Sequence, residues 1–77
     1  MKEFLHKYVY ITILKNGTYL YYTCAYVTEV TDTHISFVDK MRDDKPFFYK
    51  IEDVDECKLS NKIDKNGKLI SEVENGN

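Results

Sequence analysis

Apolar and polar side chains alternate with a period of two through most of residues 8–59, a pattern of strands rather than helices. In Tyr8-Val9-Tyr10-Ile11-Thr12-Ile13-Leu14, Val9, Ile11 and Ile13 share one face, and Tyr8, Tyr10 and Thr12 the other. The run stops at Lys15-Asn16-Gly17-Thr18. Asn-Gly tolerates the positive φ that both central positions of a type I′ turn require, so the chain is expected to reverse there. The next run, Tyr19 to Val30, contains no Gly or Pro. At ~3.3 Å per residue it would reach about 40 Å, longer than a domain of this size is wide. A bend is therefore expected at the small residues Thr23-Cys24-Ala25.

Beyond a turn at Thr31-Asp32-Thr33, His34-Ile35-Ser36-Phe37-Val38-Asp39 reads as a third strand with Ile35 and Phe37 inward. Lys40 to Pro46 reads as a charged loop, and Phe47-Phe48-Tyr49-Lys50 as a fourth strand opened by Pro46. Apolar residues three apart in Ile51-Glu52-Asp53-Val54 predict a single 3₁₀ turn. Asp55-Glu56-Cys57-Lys58-Leu59 follows as a short closing strand with Cys57 and Leu59 inward. The expected core is Val9, Ile11, Ile13, Val27, Ile35, Phe37, Val54 and Leu59. Residues 1–59 form the expected domain. Residues 60–77 read as a polar tail, with a hairpin over 62–70 around Asn66-Gly67 and a disordered end.

This order of elements is all-β and resembles the five-stranded SH3-like small barrel. The segments Ile11 to Gly17, Val27 to Lys40 and Ile51 to Val54 look like the Sm-like branch of those barrels, in particular the short stand-alone versions of phages and mobile elements. Asp32 before the third strand and Asp39 at its end match the placement of acidic residues in Sm proteins. The glycine usual in the bent second strand is absent, with Tyr22 or Thr23 in its place. Thr33-His34 replaces the Met-Asn of the first Sm motif, and Glu56-Cys57-Lys58 stands where the second has Arg-Gly. The resemblance thus implies the fold over residues 8–59, and not the RNA site residue by residue.

At 77 residues the chain has room for one core only. Eleven Lys and Arg against thirteen Asp and Glu give a net charge of −2, which argues against a nonspecific nucleic-acid coat protein, since those are strongly basic. No apolar run approaches the ~20 residues of a membrane span. The Met1 to Lys7 segment lacks the apolar stretch of a signal peptide. A cytoplasmic protein is expected, with Cys24 and Cys57 reduced. Their spacing is not that of a zinc site, and both are expected to act as small apolar side chains. No metal or cofactor is expected.

Catalysis is not expected either. Cys24 and His34 can be drawn as a dyad, but no spacing requires it. The adjacent acids Asp43-Asp44, Glu52-Asp53 and Asp55-Glu56 read as solvated turn charges. The seven tyrosines carry the functional signal. A hairpin at Asn16-Gly17 pairs Leu14 with Tyr19 and Thr12 with Tyr21, so Tyr10, Thr12, Tyr19 and Tyr21 are expected to form an outer patch. These tyrosines suit core and edge packing in a small barrel short of aliphatic residues, a protein or self-association surface, or the stacking of bases. Arg42 and Lys45, interleaved with acids, form a candidate phosphate clamp. Residues 51–77 hold four Lys against seven acids, so this end suits a basic partner surface.

The expected function is a non-catalytic binding module, a protein-binding or inhibitory accessory protein acting through its tyrosine face and acidic C-terminal part. The alternative is an Sm-like oligomer that binds RNA or nucleotides. The candidate binding residues are Tyr10, Tyr19, Tyr21, His34, Arg42 and Lys45. Unpaired strand edges favour a homo-oligomer, most simply a dimer.

Overall fold

In the computed structural model, which describes residues 1–61, the alternating runs become five antiparallel strands. They are β1 (Tyr8–Lys15), β2 (Thr18–Val30), β3 (His34–Asp39), β4 (Lys45–Lys50) and β5 (Val54–Leu59). The sheet order is β4-β3-β2-β1-β5. Three 3₁₀ turns, Lys2–Phe4, Lys40–Arg42 and Ile51–Asp53, are the other regular elements. The chain is all-β, with no α-helix among the described residues.

Asn16 and Gly17 sit at φ 53° and 75° between the paired residues Lys15 and Thr18. This is the two-residue turn that the dipeptide favours. The expected bend in β2 is a bulge. Val9 faces Ala25 and Ile11 faces Tyr22, so β2 carries one more residue than β1 across Thr23-Cys24. A bulge bends its strand and increases the local twist. It also resets the alternation, which is why Tyr22 and Ala25 are both buried. A second bulge in β2 lies at Thr28, between the Val27–Phe37 and Glu29–Ser36 pairs. In β5 a third lies at Asp55, where Thr12 faces Glu56 and Ile13 faces Val54.

The core comprises Val9, Ile11, Ile13, Tyr22, Ala25, Val27, Ile35 and Phe37. Val54 and Cys57 pack against it half-buried, as do Met1 and Phe4 from the first 3₁₀ turn. Tyr22 is its aromatic hub. The ring lies 5.0 Å from Phe37 and 4.8 Å from Phe47, and its hydroxyl shares a 2.5 Å hydrogen bond with that of Tyr49. Burial, then the Tyr49 bond, hold the phenol well above its ordinary pKa.

The structure corrects the sequence reading at several points. The sheet does not close into a barrel. Among the described residues β4 and β5 are its two edges and do not pair with each other. Pro46 offers no N–H on β4, and it is the second residue of that strand, paired with Val38. Leu59 is not core: it is 62% exposed, because it sits opposite Val9 on β5, an edge strand among the described residues. The Lys40 to Pro46 loop contains a 3₁₀ turn, capped by the Asp39 carboxylate accepting from the Met41 N–H at 2.9 Å. The hairpin expected over 62–70 and the disordered end lie outside the described residues.

Candidate functional site

On the outer face of β1 and β2, the register pairs Leu14 with Tyr19, Thr12 with Tyr21 and Tyr8 with Tyr26, the first two as expected from the turn. Tyr19 and Tyr21 are two residues apart on one strand and so point the same way. Their rings lie 6.2 Å apart at 22°. They are 48% and 56% exposed, and Leu14 beside them is exposed too. Tyr10 faces Lys58 of β5, whose ammonium lies 5.3 Å from the Tyr10 ring centre. Thr12 is the exception in the expected patch. At 3% exposed it is covered, because β1 is interior to the sheet and Thr12 lies between Tyr21 on β2 and Glu56 on β5.

The face is therefore a band of aromatic and aliphatic surface, rimmed by Lys58 and Glu56. At the other end of the β1–β2 pair, Tyr8 and Tyr26 pack at 4.9 Å, and His6 stacks on Tyr26 at 6.3 Å. These three extend the aromatic surface.

The remaining candidates stand elsewhere. Arg42 donates to the Asp39 carboxylate at 2.6 Å, and its guanidinium carbon lies 5.6 Å from the centre of the Tyr22 ring. Lys45 leans over Phe47, with the ammonium 5.7 Å from the ring centre. Both cations are thus engaged within the fold rather than aimed together at one phosphate. His34 lies at the opposite end of β3 from Asp39. Its ring stacks on Phe48 at 4.6 Å and 7°, and its Nδ1 is 2.7 Å from Thr33 Oγ1. Cys24 adjoins Ala25, which pairs with Asp39, so the length of β3 separates Cys24 from His34. The dyad that the sequence permits is not assembled.

A cleft of about 570 Å³ adjoins His34, lined by Asp32, Thr33, His34, Lys50, Ile51 and Glu52. Of these, only His34 was among the binding residues expected from the sequence. The others come together because the Thr31–Thr33 turn and the Ile51–Asp53 turn are neighbours, joined by the Ile51 N–H donating to the Thr33 carbonyl at 2.8 Å. That contact extends the β3–β4 ladder one step beyond its last pair, His34 with Lys50.

Neither cysteine is activated. Both are free, Cys24 buried and Cys57 half-buried. Burial pushes both thiols up, Cys57 to about 11, opposite to what a nucleophilic cysteine needs. No helix among the described residues is long and apolar enough to cross a membrane. Comparisons with protein families, curated proteins and solved structures find no match to this chain.

Proposed function

We propose that this protein is a non-catalytic binding module that engages other proteins through the outer tyrosine face of β1 and β2. The observation that carries the reading is the exposed Tyr19–Tyr21 pair beside Leu14, with half-buried Tyr10 farther along the same face of β1. Interface centres are depleted of charge and enriched in tyrosine, which offers large contact area at low entropic cost. The rim of Glu56 and Lys58 supplies the polar border that such a centre needs to exclude water. The acidic residues around β5 favour a partner with a basic surface, and an accessory or inhibitory role follows if that surface is the partner's own working groove.

The bent β2 and the 3₁₀ turn before β5 support kinship with the short Sm-like proteins of phages and mobile elements. Under that kinship the open edges of β4 and β5 would join copies into a homo-oligomer, and the parallel rings of Tyr19 and Tyr21 would stack bases of RNA or nucleotides. The net charge of −2 counts against this second reading. A cytoplasmic location fits the two free cysteines. The two readings separate when wild type and Tyr19→Ser/Tyr21→Ser are compared for capture of protein and of RNA from the same extract.

A further inference from the structure

The cleft beside His34 lies at the far end of β2 from Tyr19 and Tyr21, and the tyrosine-face reading does not use it. We propose that this cleft is a receptor for an arginine side chain presented by a basic partner protein. Phe48, 63% exposed, covers one face of the His34 ring, and His34 lines the cleft. A planar guanidinium stacks well on such a ring. Ile51 offers apolar surface for the aliphatic stem, and Asp32 and Glu52 supply carboxylates at the lip.

Both carboxylates are solvent-exposed and, among the described residues, only loosely paired. Lys2 approaches Asp32, and Lys50 approaches Glu52, only to 3.9 Å. Charge-assisted hydrogen bonds close to about 2.7–2.9 Å. A guanidinium fork can make such bonds where these two ammonium groups do not. Two carboxylates against one ammonium also make the cleft hostile to a phosphate, and Asp53, Asp55 and Glu56 follow with no basic residue before Lys58.

The walls are set before any ligand arrives. Thr31 Oγ1 accepts from the N–H groups of Thr33 and His34 at 3.3 and 3.0 Å, and the Thr31 N–H donates to the His34 carbonyl at 2.9 Å. Thr33 Oγ1 fixes the imidazole through Nδ1. The chain also holds a completed version of the same arrangement, with Arg42 bonded to Asp39 and laid over Tyr22. The cleft has the ring and the acids without the guanidinium. Arg42 is the sole arginine in the sequence and is already engaged, so the missing group must come from another molecule.

The test is an amide ¹H–¹⁵N titration of the full chain with acetyl-Gly-Arg-Gly-amide and its citrulline, lysine and uridine monophosphate counterparts. The arginine peptide should give saturable shifts centred on Thr33, His34, Ile51 and Glu52, and citrulline, equal in shape but neutral, none. Asp32→Asn/Glu52→Gln, both at exposed sites, should weaken binding about tenfold or more. Tyr19→Ser/Tyr21→Ser should leave it unchanged, which keeps this result separate from the tyrosine face. Absence of saturable shifts overturns the proposal. So does an equal response to citrulline or lysine, or shifts of these amides by the nucleotide in place of the arginine peptide.

Discussion

The Arg42 guanidinium lies 2.6 Å from an Asp39 carboxylate that is only 1% exposed. Asp39 ends β3 in register with Ala25, facing the core side of the sheet, and its other oxygen caps the Lys40–Arg42 turn. A buried carboxylate needs such partners, because leaving it unpaired incurs the full desolvation penalty. The Arg42 side chain is 56% exposed, so water would replace part of what its loss removes. Arg42→Ala should therefore destabilise the fold by about 1–3 kcal/mol. A double-mutant cycle with Asp39→Asn, read by urea denaturation, should show clear coupling. Additive effects would mean that the pair contributes nothing beyond its separate parts.

Phe37 is buried, meets Tyr22 edge-on and stacks with Phe47 and Tyr49, so Phe37→Ala opens a cavity in the aromatic cluster. The expected cost is about 3–5 kcal/mol, comparable with the whole stability of a small domain. Leu59→Ala, by contrast, should cost under about 1 kcal/mol, since that side chain is mostly in water. Thermal melts of the two variants check the inward and outward assignment of the sheet.

Alkaline pH should weaken the fold through Cys57. Burial raises its thiol from 9.0 to about 11, so the folded state holds its proton where the unfolded chain has released it. The stabilisation is complete below about pH 9 and is lost as pH rises through about 11. Stability should fall across that window less steeply in Cys57→Ala than in wild type. Parallel slopes in urea midpoints would contradict the burial of that thiol.

Among the described residues the outer edges of β4 and β5 are unpaired, and such edges expose backbone N–H and C=O groups that invite pairing. Pro46 blunts only the start of β4, and β5 has no proline. Light scattering should show a mass rising above 9.1 kDa toward a dimer with concentration. A constant 9.1 kDa would reject self-association.

Much of this architecture is legible from alternation and turn chemistry. Asn16-Gly17 placed the first hairpin and the Leu14–Tyr19 and Thr12–Tyr21 pairs, and the length of the second run demanded a bend where the bulge lies. The bulge's consequence was hidden: adding one residue turns Tyr22 inward and makes it the hub of the core, a shift that strict alternation does not contain. Edge position was equally invisible. Leu59 has the pattern of a core residue but lies on an edge strand among the described residues, while Thr12 has the pattern of an outer residue but two strands flanking it. Of the candidate site, the tyrosine pair followed from period two. The cleft did not, because its lining comes from two turns that meet only where the β3–β4 ladder ends at the His34–Lys50 pair.

The most direct test of the tyrosine face uses nuclease-treated extract and the two proteins side by side, with the captured partner then purified and titrated. Wild type should retain a specific protein that Tyr19→Ser/Tyr21→Ser loses. The purified partner should bind the variant at least about tenfold more weakly, at an unchanged melting temperature. Equal binding by wild type and variant, or capture of RNA with no protein dependent on Tyr19 and Tyr21, would contradict the account.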